Sequence, residues 1–236
     1  MRDVDREVAG ISSLADPVRR QLYRFVCSQA EPVSRDQAAA AAGVARHQAK
    51  FHLDRLEAEG LLQSDYVRLT GRTGPGAGRP AKRYRRGDRE LSVTLPPREY
   101  DLAGQIMAEA ITDHASTATP ITEALTRAAA AHGRAMAADG GKPDAGGDVV
   151  SRCLRVLAEH GYEPRPVDRT VLLTNCPFHR LAQSHTSLVC RMNHALLDAL
   201  ARAIAPDSLE ARLEPGEDRC CVTLTDTAGS AKPNVG

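Results

Sequence analysis

The chain has no tryptophan, and its three phenylalanines and five tyrosines make aromatics only 3% of its 236 residues. That scarcity suits small helices packed through alanine and leucine. No run of about 18 apolar residues occurs, which excludes a transmembrane helix. The opening stretch Met1-Arg2-Asp3-Val4-Asp5-Arg6-Glu7 mixes charges and has no apolar stretch behind it, so it does not read as a signal peptide. A cytoplasmic chain is expected, and there its six cysteines serve as thiols or metal ligands rather than disulfides. Charge of one sign is missing too: the net charge of +1 argues against a protein basic all over. There is neither an HExxH pair nor a glycine-rich phosphate cradle, which removes the most legible enzyme signatures.

What is present is unevenly distributed. Residues 1–90 carry a net charge of +5 and the remainder −4, and positions 68–89 hold eight basic residues with Asp88 as the single acid. A local field of this kind suits a polyanionic partner for the N-terminal part, whatever the total charge. All the cysteines but Cys27 fall in the acidic part. Two portions with different work are expected.

In LADPVRRQLYRFVCSQ, Asp16 can cap a helix that opens on Pro17, with Val18, Leu22, Phe25 and Val26 as one apolar stripe. Ser34 opens a second short helix through Gln37 and five alanines, closed by Gly43. A third helix, roughly 46–59, turns Ala49, Leu53 and Leu56 inward and ends at Gly60. Extended segments at 61–62, 66–69 and 82–85 flank a loop rich in glycine and arginine. Three helices and a hairpin in this order spell a winged helix-turn-helix, which binds double-stranded DNA with its third helix in the major groove. Arg46, His47, Gln48, Lys50 and Phe51 on that helix are the candidate DNA contacts. Arg46 suits base edges or phosphates, and Phe51 suits a thymine methyl or a core gap. Arg72, Arg79 and Lys82 of the wing are candidate phosphate or minor-groove contacts. Ala45 stands where a serine or threonine would cap the third helix, and His52 lies beside the apolar stripe as a core or interface histidine.

The fold class expected is α+β in three parts. A winged helix-turn-helix spans 12–90, a central pair of dimerisation helices 91–139, and a small sensor domain with antiparallel strands 148–225. A disordered tail follows over 226–236. The central helices carry Leu102, Ile106 and Ala110 on one stripe, too little apolar surface to stand alone, so packing on a second copy in a homodimer is expected. The stretch 139–147, DGGKPDAGG, reads as a linker. Beyond it come a helix from Asp148 to His160 with Cys153 inward, strands at 162–167 and 170–174, and a turn at 175–179. A long helix over about 186–204, with Val189, Met192, Leu196 and Ala203 inward, precedes a hairpin of 209–213 and 219–224.

Cys176, Cys190 and Cys220 come from three remote segments, and three thiolates make a soft site suited to an iron–sulfur cluster or zinc. His179 and His194 are candidate fourth ligands, and Cys221 is an alternate to Cys220. Placed in a strand, Cys220 and Cys221 point to opposite faces, so one of them is expected to ligate. Cys27 and Cys153 read as core. The competing readings for these thiols are buried small hydrophobes, a redox pair, a small-ligand pocket, or a thiol or metal hydrolase built on Cys176 and His179.

The stretch ADPVRRQLYRFV…GVARHQAKFHLDRLEAEGLL with …GRPAKRYRR resembles the ArsR-like/DeoR-like winged-helix regulators. NCPFHRLAQSHTSLVCRMNHALLDAL and EPGEDRCCVTL are similar to the subgroup that includes the repressors of the suf iron–sulfur assembly operon. The resemblance spans about 15–85 and 148–225. It implies a dimeric repressor whose DNA affinity is set by a cluster on Cys176, Cys190 and Cys220. The doubled Cys220-Cys221 departs from that pattern.

Overall fold

The computed structural model of the chain describes residues 4–67, 81–140, 149–206 and 208–227. The chain divides into two compact units, Asp3–Val93 and Thr94–Gly236, each with its own hydrophobic core.

The N-terminal unit contains α1 (Val4–Ser13), α2 (Pro17–Ser28), β1 (Val33–Ser34), α3 (Arg35–Ala42), α4 (Arg46–Ala58), β2 (Leu62–Val67) and β3 (Ala81–Arg86). Local chemistry sets the helix ends. Asp16 Oδ1 accepts the Arg19 N–H at 2.8 Å, and Pro17 occupies the first turn, where a missing N–H costs nothing. Ser34 and Gln37 cap α3 reciprocally, and Gly43 ends it at φ +64°. α4 begins at Ala45 with no side-chain cap, so packing alone fixes its start. Leu22, Val26, Leu53 and Leu56 are buried together. Ala38 and Ala39 are the buried members of the alanine run. Their small side chains let α3 lie against both α2 and α4. The three strands form an antiparallel sheet in the order β1-β3-β2, with Tyr84 of β3 opposite both Val33 and Ser64.

Two elements here go beyond the sequence expectation. β1 is a two-residue strand too short to show periodicity. α1 lies where the mixed charges gave no pattern, and it starts ahead of residue 12. It is held by Glu7, whose Oε2 accepts the Ser92 N–H at 3.0 Å, and by Gly10, where a Cβ would sit 2.8 Å from the Leu91 side chain. The loop carrying Arg72 and Arg79, the linker and the tail (residues 68–80, 141–148 and 228–236) lie outside the described residues.

The C-terminal unit contains α5 (Tyr100–Thr117), α6 (Ile121–Asp139), α7 (Val149–Glu159), β4 (Pro164–Val167), β5 (Thr170–Leu173), α8 (His179–Ser184), α9 (Thr186–Ile204), β6 (Leu209–Leu213) and β7 (Val222–Asp226). Its sheet is antiparallel throughout, in the order β4-β5-β7-β6. α6 packs along α9, and α5 packs on α6. Gly133 makes the first contact possible: a Cβ there would fall 2.1 Å from the Leu196 carbonyl oxygen. The three-part order expected from the sequence is present, but the central helices are not a region apart. Ala103, Ile106, Ala110, Ala124, Leu125 and Ala129 enter the same core as Leu196 and Leu200, so α9 supplies the apolar cover that α5 and α6 lack. Two details of this unit also differ from expectation. Ala203 is exposed, because the buried stripe of α9 runs through Leu200, Ala201 and Ile204. β7 starts at Val222, so Cys220 and Cys221 precede the strand in a bend and the alternation of a strand does not apply to them.

Candidate functional site

The N-terminal unit presents the outer face of α4. Arg46, His47, Gln48, Lys50 and Phe51 are all exposed, while Ala49, Leu53 and Leu56 on the opposite face are fully buried. Phe51 is 65% exposed, which removes the core-gap reading. His52 is buried, and its Nδ1 lies 3.4 Å from Arg19 Nε, whose guanidinium also donates to Ser13. That places His52 in the packing of α4 on α2, as its position beside the stripe suggests.

The cations of this face are paired with acids that the sequence reading passed over. Arg46 meets Asp36 of α3 at 2.6 Å, and Lys50 meets Asp54 one turn later on α4 at 3.3 Å. Lys82, expected to face a phosphate, lies between Asp54 at 3.0 Å and Glu57 at 2.5 Å. Its ammonium also sits 4.9 Å from the centroid of the Tyr84 ring. Tyr84 donates its hydroxyl to Asp54, and Ser64 donates to Glu57. β2 and β3 are thereby tied to α4 by a network of charge-assisted hydrogen bonds. Burial works against the Lys82 charge, but the bonds to Glu57 and Asp54 outweigh it and hold its pKa above the ordinary lysine value. Burial likewise opposes the Asp54 charge, and the bonds from Lys82, Tyr84 and Lys50 carry its pKa below the usual carboxylate value. Burial and the bond to Asp54 push Tyr84 up to about 12. A cleft of about 540 Å³ opens among Ser34, Arg35, Lys50, Tyr66 and Lys82, so the N-terminus of α3, α4 and the hairpin share one face. Tyr66, 64% exposed there, was not singled out in the sequence. The Lys50–Asp54 spacing of four was the available signal for the network.

In the C-terminal unit four thiols influence one another electrostatically in sequence: Cys176 with Cys220, Cys220 with Cys221, and Cys221 with Cys190. Cys176, Cys190 and Cys220 are buried, and Cys221 is half-buried. The hydrogen bond to Cys220 and burial push the Cys176 thiol far above its ordinary pKa. Cys220 is drawn down by its bond from Cys176, yet its bond with Cys221 and its burial leave it at about 12. Burial raises Cys190, partly offset by Cys221. Burial and these interactions favour the neutral form of Cys176, Cys190 and Cys220. A thiolate state therefore calls for a cation to compensate it. Among the described residues no group of three or more His, Cys, Asp or Glu side chains stands ready to hold a metal ion. The chemistry of the donor set is nonetheless soft, and three segments of chain bring it together.

The histidines offered as further ligands have other described surroundings. His179 is exposed at the start of α8, and His194 Nε2 lies 3.2 Å from the Ala211 carbonyl oxygen. With the neutral form of the Cys176 thiol favoured and the His179 side chain exposed, a nucleophile activated by His179 has no support here. Cys153 is buried in α7 and pushed up to about 12 by that burial, which suits a core residue. Cys27 is half-buried against the N-terminal core.

Two groups around the thiols were not read from the sequence. Arg98 Nη1 donates to Asn175 Oδ1 at 2.5 Å and to the Cys176 carbonyl oxygen at 3.0 Å, clamping the turn that carries Cys176. Asn193 donates its amide to Cys220 Sγ at 3.1 Å and accepts the Tyr162 hydroxyl at 2.6 Å, with all three residues buried. An asparagine at an inward phase of α9 was the signal for the second group.

Comparison with known proteins places one part of the chain. Residues 14–64 match the family model of a helix-turn-helix domain, which covers α2, α3, α4 and the start of β2. No curated protein and no solved structure matches the chain. The match identifies a helix-turn-helix domain in the N-terminal region, consistent with the broad class of helix-turn-helix regulators. That architecture supports a DNA-binding regulatory role and is typical of non-catalytic proteins. No helix among the described residues is long and apolar enough to cross a membrane.

Proposed function

We propose that the protein is a sequence-specific, homodimeric transcriptional repressor that binds double-stranded DNA through α4 and the hairpin behind it. The observation that carries this reading is the helix-turn-helix match over 14–64, coinciding with a helix whose apolar face is buried and whose Arg46, His47, Gln48, Lys50 and Phe51 face outward. Arg46 and Lys50 reach base edges or phosphates once DNA replaces Asp36 and Asp54 as their partner. Arg72 and Arg79 of the wing add phosphate or minor-groove contacts. Lys82 is the wing residue whose present ion pairs favour holding the hairpin on α4 over a phosphate contact. Mobility-shift titrations on the DNA upstream of its own gene test the reading. Arg46→Ala combined with Lys50→Ala is expected to weaken specific binding at least about tenfold. Unchanged binding would remove α4 as the recognition helix.

The second half of the proposal is that Cys176, Cys190 and Cys220 hold an iron–sulfur cluster whose state adjusts DNA affinity. The burial of Cys176, Cys190 and Cys220, their mutual electrostatic influence and the resemblance to suf repressors support it. A cluster supplies a change of oxidation state or its own loss as the signal. The chain's residues supply soft donors from the turn before α8, from α9 and from the bend before β7. Anaerobic purification should give thiolate-to-iron absorbance that Cys190→Ser abolishes. A colourless protein with equimolar zinc would replace the cluster by zinc.

A further inference from the structure

We propose that the outer edge of β6 is a self-association surface, on which β6 of a second copy of this chain pairs antiparallel about a two-fold axis through Ala211. This deepens the reading of the protein as a homodimer and rests on it.

The ladder defines the edge. β6 is the outermost strand of its sheet, bonded on one side to β7. The Thr227 N–H donates to the Ser208 carbonyl at 2.9 Å, and the Glu214 N–H donates to the Cys221 carbonyl at 2.7 Å. Even-numbered residues along β6 therefore bond to β7. Alternation turns the N–H and C=O groups of Leu209, Ala211 and Leu213 the other way. The Leu209 N–H is taken by the Ala205 carbonyl at 3.1 Å. The Ala211 carbonyl lies 3.2 Å from His194 Nε2, which leaves it a second lone pair. Among the described residues, the Ala211 and Leu213 N–H groups and the Leu209 carbonyl are left for a further strand. The opposite edge of the sheet is blunted, because β4 carries Pro164 and Pro166, which have no N–H to offer.

The strand that fits this edge is β6 itself. It reads Leu209-Glu210-Ala211-Arg212-Leu213, symmetric about Ala211 in its apolar residues and opposite in charge on the two sides. Antiparallel pairing about Ala211 sets the two Ala211 residues face to face, Leu209 of each copy against Leu213 of the other, and Glu210 of each copy against Arg212 of the other. Each Ala211 N–H then reaches the other Ala211 carbonyl, and each Leu213 N–H the other Leu209 carbonyl. Glu210 and Arg212 fall at the non-hydrogen-bonded positions, where opposed side chains stand closest. They already pair with each other at 2.9 Å on the exposed face, so two copies close a ring of alternating charges. On the other face Leu213 is 50% exposed and Leu209 only 3%, and the pairing lays one beside the other. A slip of two residues would set Glu210 against Glu210 or Arg212 against Arg212, so charge fixes the register. The interface is isologous, as a two-fold dimer requires.

Sedimentation equilibrium of the full-length chain over a concentration series reads the association constant, with circular dichroism as the folding control. Wild type is expected to dimerise reversibly. Glu210→Arg and Arg212→Glu each set like charges opposite one another twice in the dimer, and each should weaken it about 5–30-fold. Mixing these two variants in equal amounts should restore association. In the mixed dimer every opposed pair again carries opposite charges, although the pair within each chain stays broken. The double variant, Glu210→Arg with Arg212→Glu, should self-associate as wild type does. Ala211→Pro removes the central N–H donor and spares the bonds to β7, so its dimer should be lost where wild type is dimeric. If Ala211→Pro does not fold, the charge variants carry the test.

A wild-type dimer that none of these changes weakens has its seat elsewhere, which would overturn the inference and leave the homodimer standing. Weakened single variants that mixing fails to restore would overturn it too, because a merely local defect gives that result. A wild type that stays monomeric both alone and on duplex DNA removes the homodimer reading and this inference together.

Discussion

Asp54 shows how one side chain can serve two elements. It sits on α4, accepts from Tyr84 of β3, and pairs with both Lys50 and Lys82. Its pKa in the folded chain is held below the ordinary carboxylate value of 3.8, because the bonds from Lys82, Tyr84 and Lys50 outweigh the cost of burial. A depressed folded-state pKa gives stability that is present above the unfolded pKa and lost as pH falls through the folded one. Urea titrations of the N-terminal unit's helix signal should therefore show stability declining as pH drops from about 5 to below 3. In Asp54→Asn that decline should be shallower, with stability near neutral pH already reduced. An equal slope in the two proteins would mean that Asp54 is not linked to folding. The sequence allowed the Lys50–Asp54 pair to be anticipated from its spacing, but Lys82 is 28 residues from Asp54 and only the hairpin brings it back. The same holds for Asn193 and Cys220, which are 27 residues apart.

At the scale of elements, the helices followed their local code. Asp16 and Pro17, Ser34 with Gln37, and Gly43 each mark an end that the structure uses. Periodicity assigned the buried face of α4 without error, because Ala49, Leu53 and Leu56 recur at the helical repeat. It was less informative for α5 and α6, where alanine blurs the contrast between faces. There the deciding feature is Gly133, whose missing side chain lets α6 lie on α9. Gly133→Ala would drive a Cβ into the Leu196 carbonyl, and helix propensity cannot compensate for that clash. The substitution is expected to destabilise the C-terminal unit by about 1–3 kcal/mol, read as a lower denaturation midpoint with an unchanged slope. A gain in stability, as helix propensity alone would give, would argue against the close approach. The short elements β1 and α8 had no readable period. The bend at Cys220-Cys221 was read as strand because the apolar residues after it were continuous with the doublet.

The whole molecule consists of two units with separate cores, and their stabilities are separable in principle. Leu53 is fully buried in the N-terminal core, so Leu53→Ala should cost about 2–5 kcal/mol there. Calorimetry should show that loss in one transition, with the transition that Gly133→Ala moves left in place. If Leu53→Ala shifted both equally, the two units would unfold as one cooperative body. The division also explains the charge pattern. The basic part coincides with the unit that carries the helix-turn-helix domain, and the acidic part with the unit that gathers four thiols.

Sequence alone determined the order of the helices other than α1 and α8, the caps of α2 and α3, the inward face of α4 and the separation of a basic from a cysteine-rich portion. Those features depend on residues close together in the chain, where propensity, capping and periodicity act. Only the tertiary structure decided that α5 and α6 close onto α9 and that Lys82 is engaged by α4. It also decided that Cys220 and Cys221 precede their strand, and that a buried asparagine meets the Cys220 sulfur. Each of those outcomes depends on which distant surfaces fit together and on which buried polar groups must find partners. Local pattern carries no record of either.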